Sequence, residues 1–152
     1  LQQQIANKDS RSNPKIITEK FAWFPIWEYE DRKFTKEEIK ILKQTDILWL
    51  KAMPYMQYCS IIQKDGNLKK GNIIPISEIS TPELYINEYV TVFSCEKWLN
   101  FSVTFTDFSD LTDKINKIVT DGGYTPKEPL LMAIPVFKRK NYNFVQIYVA
   151  LE

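Results

Sequence analysis

The stretch FAWFPIWEYE, residues 21–30, poses the question on which the fold turns. In an extended strand, successive side chains point to opposite faces. Phe21, Trp23, Pro25, Trp27 and Tyr29 then share one face, aromatic along almost its whole length. Ala22, Phe24, Ile26, Glu28 and Glu30 share the other, which turns acidic halfway along. Four large rings carry about 600–1,000 Å² of surface between them. The largest apolar patch a monomer leaves in water is about 300–600 Å². The stripe is therefore expected in the core or against a partner. Pro25 has no N–H to give a ladder, so it places this strand at a sheet edge or a bulge. An edge is where another chain can add itself.

Downstream, TKEEIKILKQ (35–44) opens with a capping box, Thr35 and Glu38, and Ile39 and Leu42 follow on one helical face. DILWLKAM (46–53) and YMQYCSIIQ (55–63) read as strands separated at Pro54. KDGN (64–67) is a tight hairpin turn, and LKKGNIIPISEI (68–79) a strand interrupted by Pro75. STPELYIN (80–87), with Thr81 as cap and Pro82 as first helical residue, predicts one or two helical turns. EYVTVF (88–93) reads as another strand, and NFSVTFTDF (100–108) alternates cleanly, as in a sheet with one wet face.

The strongest helix signal is SDLTDKINKIVTDGG (109–123). Ser109 or Asp110 caps it, Leu111, Ile115, Ile118 and Val119 form its apolar stripe, and Gly122-Gly123 ends it. LLMAIPVF (130–137) and YNFVQIYVALE (142–152) are closing strands joined by KRKN, with Val145, Ile147, Val149 and Leu151 on one face. Strands following strands through short turns predict antiparallel pairing. The expected class is α+β: an antiparallel sheet of short strands with one principal helix, about residues 109–121, packed on it. A mostly β sandwich or barrel is the alternative. Residues 1–14 are a polar tail with little to bury, and residues 15–152 one globular domain. The chain begins at Leu1, so an upstream targeting or anchor segment is expected to have been removed.

The chain contains no histidine. That removes the commonest general base and transition-metal ligand, together with every Ser-His-Asp or Cys-His arrangement. No phosphate-binding glycine loop and no nucleophile elbow occurs. Cys59 and Cys95 form one disulfide in an oxidising compartment or remain two buried thiols. Asn100-Phe101-Ser102 matches the N-glycosylation pattern. No run reaches the ~20 apolar residues of a membrane span. No metal or cofactor is implied.

These observations favour a non-catalytic domain that binds another protein, as a structural or accessory subunit, with Phe21, Trp23, Trp27 and Tyr29 as contact residues beside the polar tail. An alternative is a small-ligand or carbohydrate module using Trp23, Trp27, Glu28 and Glu30. A third is nucleic-acid binding through the basic turns of Lys64, Lys69 and Lys70 and of Lys138, Arg139 and Lys140. Twenty basic residues against nineteen acidic ones weaken that last reading.

Overall fold

The Lys64–Asn67 turn forms as its sequence dictates. Gly66 takes φ 86°, the Asp65 carboxylate accepts the Asn67 N–H at 2.9 Å, and the two flanking strands pair antiparallel. The computed structural model describes residues 14–134 and 144–152. Among these, eight strands build one sheet: β1 (Lys15–Thr18), β2 (Phe21–Pro25), β3 (Gln57–Ile62), β4 (Leu68–Pro75), β5 (Thr91–Val92), β6 (Lys97–Thr104), β7 (Pro126–Ile134) and β8 (Phe144–Leu151). Their order is β1-β6-β8-β7-β3-β4-β2-β5, and every pair is antiparallel. With two α-helices, α1 (Lys36–Leu50) and α2 (Phe108–Asp121), the fold is α+β.

Connection lengths force this sheet to curl. β1 and β2 stand six strand spacings apart in the order, ~29 Å in a flat sheet. Only Glu19 and Lys20 join them, and three Cα steps span at most ~11 Å. β5 and β6 are also six spacings apart and are joined by residues 93–96 alone. Both links cross the same seam, and the Glu19 N–H donates to the Glu96 carbonyl at 2.8 Å where they meet. The sheet is thus rolled toward a barrel whose two edges are stitched by short crossings.

The inner face of the roll is an aromatic core. Phe21 of β2 meets Trp98 of β6 edge-on, with ring centroids 5.5 Å apart, and Tyr148 of β8 at 5.2 Å. Small residues (Cys59, Ala133, Ala150) leave room for these rings. At Gly71 an added Cβ would collide with the Trp23 indole and lie 2.6 Å from the Phe24 carbonyl oxygen. Both helices pack on the outer face. Leu111 and Ile115 of α2 cover Leu99, Phe101, Val145, Ile147 and Val149. Leu42 and Trp49 of α1 cover Ala22, Phe24 and Ile74.

Four expectations change. Residues 46–50 belong to α1 and not to a strand, because Leu42, Thr45 and Trp49 recur at helical spacing and bury together. The Thr35–Glu38 capping box stands as expected at the start of that helix, with the Glu38 N–H donating to Thr35 Oγ1 at 3.1 Å. EYVTVF contributes only Thr91–Val92, and Asp107 caps α2 in place of Ser109 or Asp110. β2 is not an edge strand. β4 pairs along its full length and β5 covers Ala22 and Trp23, while Pro25 ends it.

Candidate binding surfaces

The aromatic stripe does not survive as one face. Phe21 and Trp23 are buried inside the roll, and the Trp23 Nε1–H donates to the Cys59 carbonyl at 3.1 Å. Past Pro25 the chain leaves the strand for a 3-10 turn, Trp27–Tyr29, and the two-residue alternation stops. Trp27 turns to the helical side, where its Nε1–H donates to Asp46 Oδ2 at 2.9 Å and its ring meets Phe34 edge-on. Trp49 donates to the Tyr85 carbonyl at 3.1 Å and Trp98 to the Glu19 carbonyl at 2.8 Å. All four indole N–H groups are therefore satisfied within the chain, as buried ones must be. Only Tyr29 is open to water, at 72 % exposure, with Lys70 Nζ 5.6 Å from its ring.

Trp23 and Trp27 consequently do not form a joint platform, and Phe21 and Trp23 are nearly covered, reaching the surface as walls of two separate grooves. Glu28 and Glu30 are exposed. Asp46 titrates above the usual carboxylate range, chiefly through burial, with the Glu28 charge adding and the Trp27 bond opposing.

Two grooves open at opposite ends of the β2–β4 pair. One, about 490 Å³, gathers Trp23, Tyr29, Glu30, Arg32, Lys69 and Lys70. It brings together residues that belonged to three separate sequence readings, yet its charges are mixed. Lys64 stands apart at the hairpin tip, 3.3 Å from Glu128. Lys138, Arg139 and Lys140 lie outside the described residues, as does the tail up to residue 13.

The second groove, about 290 Å³, lies at the Phe21 end. Its walls include Phe21, Tyr55, Gln57 and Tyr148, with Glu19 and Glu78 among its lining residues. The Glu19 carboxylate accepts the Ser77 hydroxyl at 2.7 Å and the Ser77 N–H at 3.3 Å, which fixes its position. The Tyr148 hydroxyl donates to Gln57 Oε1 across 3.4 Å, a long bond. Burial, with Cys59 adding to it, pushes the Tyr148 phenol up to about 12. Sequence reading singled out none of these six as a group except Phe21. They come from separated segments, and no linear spacing connects them.

Cys59 and Cys95 are both free and buried, as small members of the inner core. Burial pushes the Cys59 thiol well above its ordinary range. Asn100 is buried in β6, where its Nδ2–H₂ donates to Gln146 Oε1 and to the Ile147 carbonyl, each at 3.1 Å. Gln146 Nε2 donates onward to Ser102 Oγ. The glycosylation pattern at Asn100 is thus occupied by an internal polar network.

A third surface is apolar. Ile47 and Leu50 of α1 are 63 % and 55 % exposed, and Met53 continues their spacing into the following turn. Leu84 (62 % exposed) and Ile86 flank Tyr85, whose carbonyl receives the Trp49 indole bond. That bond sets them beside the same end of α1. The signal for this surface was a second helical stripe, Ile47–Leu50, offset from the buried one.

Among the described residues, no helix is long and apolar enough to cross a membrane, and no cluster of three metal-ligating side chains occurs. No family model matches the chain, and no curated protein is significantly similar to it.

Proposed function

We propose that this chain is a non-catalytic interaction domain that docks another protein through the apolar end of α1. What supports the reading is the exposure of Ile47, Leu50, Met53, Leu84 and Ile86 on two segments tied together by the Trp49–Tyr85 bond. Isolated exposed apolar residues are ordinary, but a set drawn to one end of a helix is the composition of an interface centre. The four tryptophans serve the fold, so the partner meets aliphatic side chains.

The test compares the chain with an Ile47→Glu/Leu84→Glu variant. Both positions are mostly in water, so folding stability should change by less than about 0.5 kcal/mol each. Light scattering against concentration, and capture from the source organism followed by mass spectrometry, are measured for both. The proposal expects a bound chain that the variant loses while its circular dichroism and melting temperature persist. Mass that rises with concentration would make the occupant a second copy. A monomeric chain whose captured set is the same with and without the two charges would overturn the proposal.

A further inference from the structure

We infer that the groove at the Phe21 end of the rolled sheet binds an organic cation, an alkylammonium or guanidinium group. Three features converge there. The first is charge: among the described residues its lining holds two carboxylates, Glu19 and Glu78, and no Lys or Arg. The opposite groove, lined by Arg32, Lys69 and Lys70 as well as by acids, lacks this bias. The second is aromatic content. Phe21, Tyr55 and Tyr148 line the groove, and a cation within ~6 Å of a ring is held by the ring's quadrupole.

The third is a polar group left nearly without a partner. Tyr148 is nine-tenths buried and lines the groove, and among the described residues its hydroxyl has the single 3.4 Å contact to Gln57. Its oxygen and the Gln57 carbonyl oxygen are acceptors with spare capacity. Acceptors and carboxylates over rings match a ligand that is all donor and positively charged, such as an ammonium or guanidinium. The volume, about 290 Å³, suits a single side chain or a small amine. Glu19 is already fixed by Ser77, so little ordering is required on binding. The groove shares no residue with the Ile47–Leu84 surface, and each inference stands without the other.

The same cation can come from a free amine or from a Lys or Arg side chain of a protein. The experiment is an amide NMR titration of the whole chain with n-butylammonium, n-butylguanidinium, n-butanol and n-butyrate. A second arm uses the capped peptide Gly-Lys-Gly. The inference expects saturable shifts at Thr18, Glu19, Gln57 and Ser77 with the two cations, and none with butanol or butyrate. Glu78→Gln, on an exposed turn and harmless to folding, weakens cation binding about threefold to fivefold. Tyr148→Phe, which keeps the ring, also weakens it. Peptide binding tighter than butylammonium assigns the site to a protein side chain, and equal or weaker binding assigns it to a free amine. Absence of saturation, equal response to butyrate, or Glu78→Gln binding at the original strength would overturn the inference.

Discussion

Replacing Gly71 by alanine separates backbone from packing effects in the rolled core. Gly71 lies in β4 opposite Pro25 and Cys59, and it is not among the glycines with positive φ. Its backbone is open to any residue, so through the unfolded chain alone alanine should stabilise by about 0.4–1 kcal/mol. Packing opposes this. The new methyl would meet the Trp23 indole and approach the Phe24 carbonyl oxygen to 2.6 Å, where ordinary contact begins near 3.4 Å. That carbonyl is held by the β2–β4 ladder, and Trp23 is anchored by its bond to Cys59, so neither can retreat cheaply. Overpacking of this kind costs about 1–3 kcal/mol, and the fixed backbone places it at the upper end. The net expectation is a loss of about 2 kcal/mol, or a melting temperature lower by about 4–8 °C for a chain of this size. Urea unfolding followed by tryptophan fluorescence measures it. In a Trp23→Phe background the smaller ring makes room, and the same change should cost clearly less. Gly71→Ala as stable as the parent, or a cost unaltered by Trp23→Phe, would refute the reasoning.

Four further outcomes follow from the same fold. Tyr148 is held neutral up to about 12 in the fold, while an exposed tyrosine ionises near 10. Its contribution to stability is therefore complete below pH ~10 and is lost as pH rises from ~10 to 12, because the unfolded chain gives up the proton first. Denaturation across that range should show the fall, and Tyr148→Phe should flatten it. Asn100→Ala should cost about 1–3 kcal/mol by stranding the Gln146 side chain and the Ile147 carbonyl. Peptide mapping of the folded chain from a glycosylating host should find Asn100 bare. The native Cys59 thiol should resist a disulfide reagent at pH 8 and react once urea unfolds the chain, since it is fully buried and its thiolate is disfavoured.

What the sequence disclosed were features written in local chemistry. The Asp65-Gly66 turn, the Thr35–Glu38 box, the Leu111–Ile115 stripe and the alternation through Phe101 and Val103 each stand where local rules place them. The errors arose where two periods compete over a short window. Ile47, Leu48, Trp49 and Leu50 form an apolar run that suits strand or helix, and the buried polar Thr45 obscures the helical face. At FAWFPIWEYE the alternation was real for Phe21 to Pro25, and the chain then turned at Ile26, splitting the stripe between core, helix side and solvent. Curling of the sheet was out of reach, because it depends on strand order combined with two short links. The cation groove inherits that limit. Glu19, Tyr55, Glu78 and Tyr148 become neighbours only once β1 and β2 cross the seam.

The rolled sheet is tested most directly by the contacts that join its distant strands. A proton NMR spectrum should show cross-peaks between the Phe21 and Trp98 rings and between Phe93 and Trp98, whose centroids lie 5.5 and 6.0 Å apart. Those cross-peaks are the expected result. If β4–β2 and β6–β1 pairing is observed and both ring contacts are missing, the sheet is open, and the inner core and the groove at its end do not exist as described.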